Sequence, residues 1–371
     1  MNSHVYGDPN DPVKVAVVQA EPCWLWIPGY PNFIHAKAAK ETMNYNLKYY
    51  RNSIDVRSDH MERIRMAARN ASIMVVVGIS ERDKGSLYMA QTFIGPDGDV
   101  LLHRRKFKPT AQERILFGDA SGDCTTNVVQ TPIGRIGGLQ CFEHLQPLLK
   151  YNTYFEGEQI HVASWPNLFP PVGKMPFFNT VESCMMATHT LAVEGATFVL
   201  LASSTQTDKG LVANGLVDES EHAGQGEKPH TAVVGGGFSE IIAPDGRTLV
   251  KAPNPESEGL LYAELEFDEI YVAKSIADTV GQYSRPDLFT LQVRSKLRRQ
   301  CMLCAFLAFV DDGDEVIVFE PFFDQYISNI EMAGGEVRYV SLNPHRSGNY
   351  TTSSSADWVV DMEKVRDTIS P

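Results

Sequence analysis

Two segments of the chain share one turn sequence, and they constrain the fold more than any other feature. FIGPDGDVLL (93–102) and EIIAPDGRTLV (240–250) each place Pro-Asp-Gly between arms rich in strand-forming residues. A turn of this kind closes an antiparallel hairpin. Around the hairpins, strand and helix patterns alternate along the chain. The sequence therefore predicts a layered α/β architecture with a mixed sheet.

The remaining elements follow from the hydrophobic periodicity. Residues 13–19, VKVAVVQ, and 71–80, ASIMVVVGIS, have the β-branched apolar composition of buried strands. Residues 58–70 predict a helix that begins at a Ser58 cap and has an apolar face, made of Met61, Ile64, Met66 and Ala67. Further strands are predicted at 128–131, 135–140, 158–164 and 196–203, and further helices at 178–194 and 268–280.

The composition changes towards the end of the chain. After residue 300 the sequence becomes aromatic and acidic, as in VDDGDEVIVFEPFFDQYISNIEM (310–332). We expect a boundary near 296–300, with one domain at 13–296 and a short α/β appendage at 301–371. The appendage is too short to bury a core of its own and is not expected to be an independent domain.

Charge and composition exclude several classes of function. The net charge is −13, so nucleic acid is not an expected partner. The apolar run 301–310 is too short to span a bilayer, and a cytosolic protein without membrane association is expected. Six cysteines in 371 residues are too few for a disulfide scaffold and are expected to be free thiols. The pair Cys301 and Cys304 supplies only half of a zinc site, so no metal is expected.

The segment GGLQCFEH (137–144) places a cysteine where an apolar run meets charged residues. A strand is predicted before Cys141 and a helix after it, so this residue is expected at a strand-to-helix turn. The two glycines allow close approach of the backbone. Such a turn directs backbone N–H groups and the helix dipole at the side chain, which lowers the pKa of a thiol. Cys141 is therefore either a nucleophile or a small residue of the core.

Other polar residues are candidate partners of this cysteine. Lys106 ends a strand arm and could stabilise a thiolate or donate a proton, or it could be a solvated surface charge. Glu113 is either an active-site carboxylate or a residue that caps a helix or pairs with Arg114. Glu143 and His144 could act as a base or an orienting group, or they could be solvated at a helix start. A Cys/His protease is not expected, because His144 is only three residues from the cysteine on one helix.

Several segments, in this order, resemble the nitrilase branch of the carbon–nitrogen hydrolase superfamily, particularly its fungal-type members. The match extends over about residues 13–296 and rests on WIPGYP (26–31), LHRRKFKPTAQER (102–114), GGLQCFEHLQPLLKY (137–151), GEQIHVASWP (157–166) and IADTVGQYSRPD (276–287). The resemblance implies a four-layer α-β-β-α sandwich that forms a homodimer or a larger homo-oligomer. It implies no metal and no organic cofactor.

The resemblance also implies an activity and the residues that carry it. Cys141 resembles the nucleophile, Lys106 the lysine of a Glu-Lys-Cys triad, and Glu113 an additional active-site glutamate. The expected reaction converts a nitrile into a carboxylic acid and ammonia through thioimidate and thioester intermediates. Glu143, His144 and Trp165 are candidates for the substrate pocket. The alternative is a cyanide hydratase, which releases the amide; an amidase is less expected.

The chain departs from the family pattern near residue 25. The triad glutamate is expected three positions before Ile27, and Trp24 stands there. Strand 13–19 continues directly into WIPGYP, so a helix and a strand, on the order of 25 residues, are expected to be missing. Glu21 is the nearest carboxylate that could replace the glutamate. A catalytically inactive member that serves assembly or binding is the alternative from another functional class.

The C-terminal segment 302–344 resembles part of the large domain of fold-type I aminotransferases, in particular the kynurenine aminotransferase-like group. Phe323 matches the aromatic residue that stacks on the cofactor ring in that group. The segment contains neither the Schiff-base lysine region nor the phosphate-binding turn. Pyridoxal phosphate is therefore not expected to bind.

Overall fold

The structure is a computed structural model, and it describes residues 12–21, 39–171, 176–213, 233–293, 306–320, 325–344 and 358–369. The chain divides into two compact units, Met1–Ser295 and Lys296–Pro371. No helix in the described part is long and apolar enough to cross a membrane. Trp24, WIPGYP, the Cys301 and Cys304 pair, and Phe323 lie outside the described residues.

The described strands are β1 (Val13–Gln19), β2 (Val75–Asp83), β3 (Ser86–Ile94), β4 (Val100–Arg105), β5 (Val128–Thr131), β6 (Gly134–Gln140), β7 (Ile160–Trp165), β8 (Phe198–Ser203), β9 (Glu240–Ile242), β10 (Thr248–Lys251), β11 (Gly259–Leu265), β12 (Glu315–Glu320), β13 (Glu336–Ser341), β14 (Asn343–Pro344) and β15 (Trp358–Val359). The helices are α1 (Ala39–Asn52), α2 (Asp59–Ala71), α3 (Pro147–Phe155), α4 (Val181–Gly195), α5 (Asp208–Ala213), α6 (Asp268–Ile276), α7 (Gln325–Met332) and α8 (Met362–Thr368).

A continuous six-stranded sheet forms one layer of the first unit, in the order β10-β9-β8-β7-β6-β5. Strands β6, β7 and β8 are parallel neighbours, and the outer strands are antiparallel. The predicted hairpin at 240–250 forms β9 and β10, and the one at 93–102 joins β3 to β4. The prediction of a mixed sheet is confirmed.

The facing layer is divided into two sheets, which we call the split layer. One sheet pairs β1 with β11, and the other has the order β2-β3-β4. Among the described residues, the second edge of β1 has no partner strand, and β2 is bonded on its second edge only near Ser80, by Ile54. Two open strand edges within one layer are unusual, because unpaired edges normally have to be protected.

Helices cover both outer faces. The core between the two sheet layers contains Val17, Phe93, Ile136, Ile160, Val162, Phe198, Ile241, Leu261 and Leu265. On the outer side of the six-stranded sheet, α3 and α4 pack against it through Tyr154, Cys184 and Leu191. On the other side, α2 packs on β2 and β3 through Met61 and Ala68. The order of layers is α-β-β-α, as the resemblance implied.

The predicted burial of two elements is wrong. Strand β1 is not buried throughout, because its alternate residues point outwards and Val18 is 58% exposed. On α2, Met66 is 48% exposed, and the buried positions are Met61 and Ala68. In both elements, apolar residues also occupy positions that no other described element covers.

The second unit contains a strand-helix-strand piece within the predicted α/β appendage. Strands β12 and β13 are parallel neighbours, and α7 lies between them in the chain. The buried apolar residues of this piece are Val318, Ile330 and Val340. The short strands β14 and β15 pair antiparallel. Helix α8 begins after Asp361, whose side chain caps it by accepting from the backbone N–H groups of Glu363 and Lys364.

Candidate active site

Cys141 lies at the predicted turn, directly after β6. It opens a 3-10 turn (Cys141–Leu145), and its φ of 51° places a non-glycine residue in the left-handed region. Such strained conformations cluster at functional sites. Gly137 and Gly138 are required for close packing, because a Cβ at Gly137 would lie 2.3 Å from Glu158 Oε2. At Gly138, a Cβ would lie 3.0 Å from the Phe93 ring.

Glu143 connects this turn to the split layer. Its carboxylate accepts a bidentate pair of hydrogen bonds from Arg104 of β4, at 2.7 and 2.9 Å. It also accepts from the backbone N–H groups of Phe107 and Gln140, both at 2.8 Å. Burial raises the pKa of Glu143, but Arg104 and the N–H groups of Phe107 and Gln140 together outweigh burial, and the pKa is lowered overall. Glu143 is therefore a buried, ionised carboxylate that accepts four hydrogen bonds, rather than a solvated residue.

Lys106 lies immediately after β4 and is buried with a carboxylate partner. Its Nζ donates to Glu113 at 2.6 Å and to Thr110 Oγ1 at 3.1 Å. Burial lowers the pKa of Lys106, but Cys141 in its ionised form, Glu113 and Glu143 together raise it more, so the ammonium form is retained. Glu113 also accepts from the Thr110 N–H and caps the 3-10 turn at 111–115. Glu113 thus caps and pairs at once, with Lys106 rather than Arg114 as its partner.

The thiol of Cys141 has a raised pKa, contrary to the expectation from its position. Burial raises the pKa to about 11, although Lys106 and the backbone N–H of Phe142 act in the opposite direction. Desolvation of a small buried thiolate exceeds the stabilisation by one cation and one N–H group. The sequence indicated the donors but could not indicate the burial. At neutral pH the thiol is protonated, so its nucleophilic form requires a base.

His144 lies behind the turn, and Trp165 lies beside the turn. Nδ1 of His144 is 2.6 Å from the carbonyl oxygen of Cys141, and its ring stacks on Trp165 with 5.2 Å between ring centroids. Nε2 is 3.2 Å from Nε2 of His161, whose Nδ1 is 2.8 Å from Glu158 Oε2. Burial, with His161, lowers the pKa of His144 to about 3. Both nitrogens of His144 are therefore occupied.

A cavity of about 1410 Å³ opens beside Cys141. It is bordered near the thiol by Glu113, Gln140 and Trp165, and it continues between the facing edges of β1 and β2. Most of its lining is apolar, from the inner face of the six-stranded sheet and the two strand edges. The cavity exceeds the roughly 300–1,000 Å³ of ordinary ligand pockets. Glu143 and His144 do not border it.

Glu21 also borders the cavity, at the end of β1. Its carboxylate accepts from the Thr207 N–H at 2.7 Å and from Thr207 Oγ1 at 2.6 Å. Thr207 directly precedes α5, so Glu21 holds the start of that helix. Among the described residues, Glu21 and Glu113 are the carboxylates that border the cavity.

The sequence reasoning missed three buried polar residues, Arg104, Glu158 and His161. The signal for Arg104 is its place two residues before Lys106 in the HRRK run. Glu158 and His161 stand three residues apart in the quoted segment GEQIHVASWP. In the described part of the chain, no group of three His, Cys, Asp or Glu residues could hold a metal ion.

The chain matches two known families. The family described as carbon-nitrogen hydrolase matches residues 25–275. The family described as aminotransferase class I and II matches residues 299–371. The first match covers more than half of the chain, and the second covers the C-terminal segment.

Curated relatives and solved structures cover the same region. An arylacetonitrilase of Hypocrea virens is 40% identical and covers 78% of this chain and 94% of its own length. A nitrilase of Talaromyces marneffei is 38% identical over 76% of this chain and 95% of its own length. The carbon-nitrogen hydrolase structure from Helicobacter pylori G27 aligns with a TM-score of 0.54 at 13% identity, covering 76% of this chain and 98% of that one. At that identity the structural match shows the fold alone.

Proposed function

Because the chain belongs to the carbon–nitrogen hydrolase family, we propose that it is a nitrilase that converts a nitrile into a carboxylic acid and ammonia through a covalent adduct at Cys141. The observation that carries the proposal is the strained Cys141 turn, with the buried Lys106 and Glu113 pair near it and a cavity in front of it. The names of the relatives, arylacetonitrilase and nitrilase, support a nitrile substrate. The apolar lining supports an aryl or other apolar side group.

The proposed course begins with addition of the Cys141 sulfur to the nitrile carbon, while the thiol proton moves to a base and a proton reaches the nitrile nitrogen. The product is a thioimidate. One water adds to its carbon, the carbon–nitrogen bond breaks, and ammonia leaves a thioester. A second water then releases the acid and restores the thiol. The total consumption is two waters per nitrile, and no step requires an oxidant or reductant.

Each residue has a stated role in this proposal. Lys106 stabilises the negative charge that develops on nitrogen and supplies the proton there. The N–H of Phe142, which faces the Cys141 sulfur, stabilises the thiolate. The charges of Glu113 and Glu143 both act on the thiol, but only Glu113 of the two borders the cavity, and we assign it the proton transfers that this chain can perform. Trp165 forms the wall of the pocket.

Thiol deprotonation is proposed to limit this chain. With a pKa near 11, about one thiol in 10⁴ is ionised at pH 7, and Glu113 is already bound by Lys106 and Thr110. The size of the missing block, but not its place, is supported by the alignment with the Hypocrea virens protein. That alignment has 320 positions but covers only 78% of 371 residues, about 289, so about 30 positions have no counterpart here. The open edges of β1 and β2 are where a strand is missing among the described residues.

The test is ammonia release from phenylacetonitrile, an aliphatic nitrile and cyanide, with the amide measured in parallel. The chain is compared with Cys141→Ala and with Cys184→Ala, a second buried cysteine of the same core cluster. We expect slow release that Cys141→Ala abolishes and Cys184→Ala retains. Equal release from all three proteins would exclude Cys141 as the nucleophile, and amide as the main product would indicate a hydratase.

Assembly and location are part of the same proposal. We infer a homodimer or larger homo-oligomer in the cytoplasm. Apolar side chains are exposed on the outer helix layer, including Leu148 (71%) and Phe155 (73%) of α3. Cys124, Cys141 and Cys184 are free thiols, as expected in a reducing compartment. Light scattering after size-exclusion chromatography tests the assembly, and Leu148→Glu is expected to shift the particle to a smaller mass.

A further inference from the structure

Three buried side chains behind Cys141 form a chain of hydrogen bonds that the proposed mechanism does not use. Glu158, His161 and His144 connect in this order and end on the carbonyl oxygen of Cys141. We call them the Glu158 relay. All three are almost completely inaccessible to solvent, with at most 2% of each residue exposed. Because buried polar groups are normally hydrogen-bonded, each contact between these three side chains must contain one hydrogen, and its donor can be assigned.

The proton count follows from the three contacts. A carbonyl oxygen only accepts, so Nδ1 of His144 must carry a hydrogen to bond the carbonyl of Cys141 at 2.6 Å. Neutral His144 then has a bare Nε2, and the hydrogen in the 3.2 Å contact must come from His161. His161, when neutral, then presents a bare Nδ1 to Glu158 at 2.8 Å. A donor is required on the carboxyl group.

We infer that Glu158 is a neutral carboxylic acid that donates to His161, and that the Glu158 relay positions the peptide unit after Cys141. An imidazolium at His161 beside a carboxylate would place two charges in a site without solvent, and the cation of Arg104 opposes it more than the charge of Glu143 favours it. The second oxygen of Glu158, Oε1, has no hydrogen-bond partner. A carboxylate would leave that oxygen charged and unsatisfied, whereas an acid leaves only a carbonyl oxygen.

The surroundings of Glu158 agree with a neutral acid. Burial raises its pKa well above the ordinary value. Gly137 provides the space for its carboxyl group, because any Cβ there would overlap Oε2. This explains one of the two glycines before the nucleophile. Apart from His161, the titratable side chains that interact electrostatically with Glu158 include Glu156 and Tyr154, and neither is a cation that could stabilise a carboxylate.

The consequence for the site follows from peptide geometry. In a trans peptide unit the C=O and N–H bonds point in opposite directions. The relay holds the carbonyl of Cys141 on the buried side, so the N–H of Phe142 is directed to the opposite side, where it faces the Cys141 sulfur. Glu158, His161 and His144 are therefore positioning residues for a donor to the thiolate. This role rests on the proposed function only in naming Cys141 as the nucleophile.

The protonation state is tested without any turnover. Infrared spectra of the full chain at neutral pH are compared between the native protein and Glu158→Gln. We expect a protonated carboxyl C=O band that the variant lacks, and nitrogen-15 shifts of neutral His161 with its hydrogen on Nε2. No such band, or imidazolium shifts at His161, would overturn the assignment. The histidine measurement uses the native protein alone, so it does not depend on folding of a variant.

The positioning role is tested by a matched pair of variants. Glu158→Gln keeps an N–H donor for His161, whereas Glu158→Met has a similar volume and no donor. We measure the alkylation rate of Cys141 by peptide mass spectrometry, which does not require nitrile hydrolysis. The methionine variant is expected to react about tenfold more slowly, the effect of one lost buried hydrogen bond, and the glutamine variant to react like the native chain. Equal rates in all three proteins, or equal loss in both variants, would contradict the role.

Discussion

The six-stranded sheet and the split layer face the same core, yet they differ in completeness. The six-stranded sheet is continuous from β10 to β5 and carries the strained Cys141 turn at the end of β6. The split layer has unpaired edges at β1 and β2, with a large cavity between them. The nucleophile therefore belongs to the complete layer. A base is expected to reach the Cys141 thiol from the split layer, which is incomplete.

The turn that positions a nucleophile and the base that deprotonates it can therefore depend on different parts of the fold. The turn at Cys141 is held by local bonds and by the Glu158 relay, all on β6, β7 and their connections. The β4 side remains connected to it through the Arg104 and Glu143 ion pair. A missing strand can therefore leave the turn intact and still leave the thiol protonated.

The largest effect is expected where the two layers are joined. Glu143→Gln leaves Arg104 buried without its charged partner, and loss of one member of a buried pair costs about 3–5 kcal/mol. Urea denaturation of the full chain, followed by tryptophan fluorescence, measures the loss of stability. The control is Asp119→Asn, which removes the exposed pair with Lys108 and is expected to cost less than about 1 kcal/mol. A similar small loss in both variants would show that the layers do not depend on this pair.

A pH-dependent effect is expected inside the complete layer. Glu158 has a raised pKa, so the folded protein retains a proton that the unfolded chain releases above its ordinary pKa of 4.5. The stability from this proton is therefore lost as the pH rises, by about 1.4 kcal/mol per pH unit until the folded pKa is reached. Glu158→Gln does not titrate, so its stability relative to the native chain should rise as the pH increases above 4.5. A difference that does not change with pH would contradict a retained proton.

The smallest effect is expected at the open edge of the split layer. Glu21→Gln weakens the bonds to Thr207 that hold the start of α5, and loss of a cap of this kind costs about 0.5–2 kcal/mol. We expect the alkylation rate of Cys141 to stay unchanged, because Glu21 is engaged elsewhere. Glu258→Gln, which removes charge from an exposed partner of the Glu21 N–H, is the control. A large fall in Cys141 reactivity for Glu21→Gln alone would identify Glu21 as the missing base.

Much of the fold, and the position of the Cys141 turn, could be predicted from the sequence. The Pro-Asp-Gly hairpins, the mixed sheet and the turn at Cys141 follow from local turn chemistry and periodicity, and the structure confirms them. The raised pKa of Cys141 could not be predicted, because burial depends on how distant layers pack. The Arg104 and Glu143 pair, 39 residues apart, and the contact between His144 and His161, 17 residues apart, were missed for the same reason. Trp24, which stands where the triad glutamate is expected, lies outside the described residues.

The most direct test of the account restores the missing part of the split layer. A helix-strand block that ends in a glutamate is inserted between Leu25 and Trp26, and ammonia release from nitriles is measured for this protein and for the chain as it stands, each with and without Cys141→Ala. A positioned general base contributes about 10²–10⁴-fold. We expect an increase of at least about 100-fold that Cys141→Ala abolishes. Equal rates with and without the block, in proteins that fold, would contradict it.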